Sequence, residues 1–126
     1  MKVIQTLKVE YVTLNVSVQY IPDIAQALYK GAEQFSRPFY KSRLTSLAAY
    51  FEGYEDLAVK AAQTKPDADF KIKLSVDAFR LLLRALRTRL NQAEKVSFFN
   101  AQKWIAIYYN LRGQVDKSIW KQALTL

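Results

Sequence analysis

The sequence predicts an all-α protein: an antiparallel four-helix bundle, preceded by a segment that reads as either strand or helix. Three observations predict it. Only three glycines and three prolines interrupt the 126 residues, too few for a fold of many turns. Apolar residues recur at four- and three-residue spacing over long stretches, which marks one buried face of a helix. Apolar side chains make up 51% of the chain, enough to build a core and too many for global disorder. The length suits one domain over residues 1–126, with 1–21 as the ambiguous segment and 22–126 as the bundle.

In the N-terminal segment, Val12, Leu14, Val16, Val18 and Tyr20 alternate with Thr13, Asn15, Ser17 and Gln19. A period of two rich in β-branched residues predicts a strand. Leu7, Tyr11, Leu14, Val18, Ile21, Ala25 and Leu28 also follow a helical seam. The sequence therefore leaves residues 3–20 open between the two. No second strand pattern is read further on, so a strand here would need a partner, most easily from a second subunit.

Pro22 fits only the first turn of a helix, which sets a first helix over about residues 23–35; Ser36-Arg37-Pro38 ends it. A second helix is expected over about 39–63, with Tyr40, Leu44, Leu47, Phe51, Tyr54, Ala58 and Ala61 as its stripe and Gly53 as a weak spot or a close contact. Thr64-Lys65-Pro66-Asp67 forms the next turn. A third helix is expected over about 68–92, where Ile72, Val76, Phe79, Leu83, Leu86 and Leu90 share one face. Leu74, Leu81 and Ala85 lie opposite that stripe. Two apolar faces need two packing partners, so one face suits the bundle core and the other a subunit interface, predicting a homo-oligomer. After a connection over 91–97, a fourth helix is expected over about 98–124, with Ala101, Trp104, Tyr108, Leu111, Val115 and Ile119 inward and Gly113 in its middle.

Composition excludes several functions. No apolar run reaches the roughly 18 residues of a membrane span, and residues 1–5 lack the apolar core of a secretory signal. There is no cysteine, which permits a reducing compartment; a cytoplasmic location is expected. There is no histidine, which removes the usual general base near neutral pH and the commonest metal ligand. Gly31, Gly53 and Gly113 stand too far apart for a phosphate-binding loop. Glu52, Glu55 and Asp56 form an acidic cluster on the second helix, more readily a solvated face than a metal site. The expectation is a protein that is not an enzyme, with no catalytic residues, no metal and no cofactor.

Charge points to binding instead. Residues 1–69 carry equal numbers of acidic and basic side chains, and residues 70–126 carry the whole net charge of +8. Such a field attracts phosphate backbones or acidic proteins. On the third helix Lys73, Arg80, Arg84 and Arg87 fall along one flank. Arginine grips phosphate through a planar, permanently charged fork, and Arg80, Arg84 and Arg87 span about 10 Å of helix. Arg89, Lys95 and Lys103 would extend the patch. RNA or DNA is the expected partner, and no membrane is. Most aromatic residues fall on the core stripes; Tyr109 lies off its stripe and is the ring expected to be exposed.

The pattern resembles the accessory variability determinant proteins of diversity-generating retroelements, relatives of a four-helix-bundle family encoded in ribosomal-RNA intervening sequences. The residues that carry the resemblance are Leu28-Tyr29 with Ala32, Asp77-Ala78, Leu83-Arg84 with Leu86-Arg87 after it, Val96-Ser97, Gly113 and Trp120-Lys121. It covers about residues 24–122. It implies a basic homopentamer of four-helix bundles that associates with a reverse transcriptase and its template nucleic acid, assists error-prone copying and has no catalytic site. Carried over by position, Arg84 is the firmest contact; Arg87 lies one residue short of the family's second Leu-Arg pair.

Two other readings compete. An alternating strand followed by Ile21-Pro22-Asp23 and two helices resembles ribbon-helix-helix regulators, in which strands of two subunits pair and read the major groove. Thr13, Asn15, Ser17 and Gln19 would then face the bases. A structural bundle that meets an acidic protein is the third.

Overall fold

The structure is a computed structural model, and it describes residues 11–115. The order of elements is β1 (Tyr11–Ser17), a 3₁₀ turn (Val18–Tyr20), α1 (Ile21–Glu33), α2 (Pro38–Glu52), α3 (Glu55–Thr64), β2 (Asp69–Ser75), α4 (Val76–Val96) and α5 (Phe98–Gly113). The protein is mostly helical, with five helices and a two-stranded antiparallel sheet among the described residues.

Within the N-terminal segment, Tyr11–Ser17 is strand and Val18–Tyr20 a 3₁₀ turn. The strand's alternation puts Val12, Leu14 and Val16 in the core and Tyr11, Thr13 and Asn15 in solvent. Its partner is β2 of the same chain, with Leu14 opposite Ile72 and Val16 opposite Phe70. A second subunit is therefore not needed to pair it. The expected third helix is corrected here: residues 69–75 are strand, and the helix starts at Val76. Ile72 and Leu74 point inward while Lys71 and Lys73 point outward, an alternation that a helix would scatter around its axis. The switch falls at Ser75, whose hydroxyl oxygen accepts from the Ala78 N–H at 3.1 Å and caps the first turn of α4.

Both edges of the sheet meet side chains. The Asn15 N–H donates to Gln114 Oε1 at 2.7 Å, and Gln114 Nε2 donates back to the Asn15 carbonyl at 2.8 Å. The glutamine amide thus takes the place of a neighbouring strand. On the other edge the Tyr50 hydroxyl donates to the Lys73 carbonyl at 3.1 Å.

The expected second helix is two. Gly53 and Tyr54 interrupt it, so Glu52 ends α2 while Glu55 and Asp56 open α3. The connection expected over 91–97 shrinks to Ser97, which caps α5 by accepting from the Asn100 N–H at 3.1 Å. Gly113 is the last residue of α5 rather than its middle. Residues 116–126, and with them the fourth-helix continuation, Ile119 and Trp120-Lys121, lie outside the described residues, as does Leu7.

The core joins the inner face of the sheet to α1, α2, α4 and α5 through fully buried Leu14, Ile21, Ile24, Leu28, Leu44, Phe51, Ile72, Phe79, Leu82, Leu86 and Ile107. No polar or charged residue is buried among the described residues. The second apolar face of the third helix is also used within the chain. Leu74, Leu81 and Ala85 are all buried, and Ala85 stands against Gly31 of α1 so closely that a Cβ on Gly31 would lie 3.3 Å from the Ala85 Cβ. That face is therefore covered, at least in part, by the chain itself.

Candidate nucleic-acid interface

Helix α4 has one open side. Its buried residues, from Val76 to Ala93, sweep around most of its circumference. The arc left over holds Arg80, Arg84, Arg87, Asn91 and Lys95 together with the acidic Asp77 and Glu94, with Arg80 half-buried and the other six exposed. Residues three, four and seven apart share a helix face, so the arginine strip read from the sequence stands as a surface feature. Arg80 and Arg84 have no carboxylate partner among the described residues. Asp77 and Glu94, the two acidic residues of α4, sit near its ends.

Arg87 is held by α5. Its Nη1 donates to the Tyr108 hydroxyl at 3.5 Å, and its guanidinium lies 5.7 Å from the centre of that ring. The Tyr108 hydroxyl, with the nearby Tyr109 and Glu94, holds the Arg87 pKa above its ordinary value. Arg112 approaches the same ring at 5.9 Å, and Tyr109 meets Tyr108 edge-on at 5.0 Å. Tyr109 is exposed as expected. Four arginines and a tyrosine thus border one side of the α4–α5 hairpin. Arg112 was not among the predicted residues, because its place beside Arg87 depends on how two helices lie together.

Three predicted residues lie elsewhere. Lys73 belongs to β2, with its ammonium 4.7 Å from the Tyr11 ring centre. Arg89 comes two residues after Arg87, about 200° round the helix, and so takes the opposite flank of the hairpin. There Arg89 and Lys103 each stand 5.3 Å from the Trp104 ring centre. Lys103 is partly neutralised by an ion pair to Asp23 at 3.0 Å. Lys95 stays on the arginine side, exposed in the last turn of α4.

The acidic cluster is split between α2 and α3, and the Tyr29 hydroxyl donates to Glu52 Oε1 at 3.0 Å. That contact, with slight desolvation, raises the Tyr29 pKa. Among the described residues no three histidine, cysteine or acidic side chains group to hold a metal ion, and no helix is long and apolar enough to cross a membrane. Comparison with protein-family models, with characterised proteins and with solved structures finds no match to this chain.

Proposed function

We propose that this protein is a nucleic-acid-binding accessory protein, not an enzyme, which acts beside a reverse transcriptase and assists template copying. The observation that carries the binding part is the row Arg80, Arg84 and Arg87 on the open side of α4. Arg80 and Arg84 have no carboxylate partner among the described residues, and Arg87 donates to the Tyr108 hydroxyl. Guanidinium groups about one helical turn apart, with no ion pair among the described residues, can meet successive backbone phosphates. Association with a reverse transcriptase, and assembly as a homopentamer of four-helix bundles, rest on the sequence resemblance through Asp77-Ala78, Leu83-Arg84 and Leu86-Arg87. A cytoplasmic site follows from the same reading. The ribbon-helix-helix reading is not carried forward, because β1 already has its partner in β2.

Arg80→Glu, Arg84→Glu and Arg87→Glu combined test it. Fluorescence anisotropy is followed against labelled RNA, duplex DNA and an RNA–DNA hybrid across a salt series. The wild type should bind with an affinity that falls steeply with salt, by about 0.7 to 0.9 in the log–log slope per phosphate contact. The triple variant should lose that binding and keep its helical content. A wild type that binds none of the three at low salt overturns the proposal in favour of an acidic protein partner. Sedimentation of the wild type tests the pentamer.

A further inference from the structure

We infer that the nucleic acid taken by this face is single-stranded, with its phosphates on α4 and its bases stacked on rings of α5. The inference rests on the nucleic-acid reading above and narrows it to one class of ligand. It starts from two aromatic side chains that the core does not use. Phe98 is 72% and Tyr109 is 52% exposed. They are eleven residues apart, three helical turns, so they fall within about 20° of one line along α5 and about 16 Å apart along its axis. Arg84 and Lys95 have the same separation on α4. The two helices are joined by Ser97 alone, so the two rows run side by side in opposite directions.

Both rows border the same side of the hairpin. Arg87 and Arg112 close on Tyr108 from that side, and Tyr109 adjoins it. Half-buried Ile105 lies between Phe98 and Tyr109 on the same line. Helix α5 carries no acidic residue, so nothing on its row repels a phosphate chain. Packed helices lie about 8–10 Å apart. A single strand laid between the rows therefore meets cations on one side and flat apolar rings on the other.

A duplex cannot use the surface in this way. Its bases are already stacked and offer no open face to Phe98 or Tyr109. Two helices abreast are about 20 Å wide and do not enter a major groove about 12 Å across. Stacking accepts any base, so the preference should be for single strands with little regard to sequence.

The test uses the full chain and a short, unstructured, labelled oligonucleotide, as RNA and as DNA, each free and annealed to its complement. Wild-type protein should bind the free strands at least about five-fold more tightly than the duplexes. Phe98→Ala with Tyr109→Ala should remove that advantage and leave the weaker duplex binding unchanged. Phe98→Trp with Tyr109→Trp should restore it. Both rings are at the surface, and an unchanged circular dichroism spectrum verifies folding. Equal affinity for strand and duplex, or an alanine pair that keeps the advantage, overturns the single-strand assignment while phosphate binding stands. Failure to bind either form overturns both this inference and the reading beneath it.

Discussion

Gly31→Val would place a branched side chain where α1 meets Ala85 of α4 at close range. A Cβ at position 31 lies 3.3 Å from the Ala85 Cβ, 4.0 Å from the Ala85 Cα and 3.9 Å from Leu44 Cδ1. Carbon atoms settle at about 3.5–4.0 Å, so even a methyl group is tight against a neighbour fixed to helix backbone. Gly31→Ala should come out near neutral, because the gain in helix propensity of about 1 kcal/mol offsets the crowding. Valine adds two more carbons to a space held by Ala85 and Leu44, and overpacking of this kind costs about 1–3 kcal/mol. In a chain of this size that lowers Tm by roughly 4–12 °C. Thermal unfolding followed by circular dichroism reads it directly. Ala85→Gly removes the opposing methyl group, so the pair Gly31→Val and Ala85→Gly should be more stable than the two single effects predict, by about 0.5 kcal/mol or more. Gly113→Ala serves as the control: nothing lies within 4 Å of a Cβ there, and the change should stabilise by at most about 1 kcal/mol. A Gly31→Val protein as stable as wild type, with no coupling to position 85, would refute the close approach.

Other outcomes follow from the caps and the tyrosines. Ser75→Ala removes the acceptor that starts α4 where the chain leaves β2; it should cost about 1 kcal/mol, read from urea unfolding, and an unchanged midpoint would count against the cap. The neighbouring Tyr54 hydroxyl at 3.4 Å, followed by partial burial, pushes the Tyr50 pKa up to about 12. A raised pKa means that the folded protein favours the neutral phenol. Stability from this group is therefore complete below the ordinary tyrosine value of about 10 and is lost as pH rises toward 12. Thermal scans should show destabilisation in that window, and Tyr50→Phe should reduce it; an identical alkaline profile in the variant would contradict the assignment.

The arginine row on α4 was largely legible before folding. Arg80, Arg84 and Arg87 share a face at any reasonable helix phase, and α4 does carry them on its open side. Lys73, Arg89 and Lys103 fall outside that row, whereas Lys95 stays on it. Ile72, Val76 and Phe79 keep a helical spacing that would put Lys73 on a helix, although Phe70, Ile72 and Leu74 alternate just as well. Two periods overlap in those residues, and local propensity does not separate them. Pairing with β1, nearly sixty residues earlier in the chain, settles the choice in favour of strand. Arg89 stands about 200° from Arg87 on the same helix, so its opposite flank is legible from periodicity, whereas the flank of Lys103 depends on how α5 packs against α4.

By itself the sequence determined where the helices would be interrupted by proline, which face of α4 stays polar, that all excess positive charge lies after residue 69, and that histidine and cysteine chemistry is absent. These follow from composition and from periodicity, which are local. The tertiary structure alone decided that residues 69–75 are strand, that Leu81 and Ala85 are buried within the chain, and that Arg112 joins Arg87 at Tyr108 while Lys103 joins Arg89 at Trp104. Each of these depends on contacts between segments far apart in sequence, and the rotation of one helix against another is set by packing that no single segment encodes.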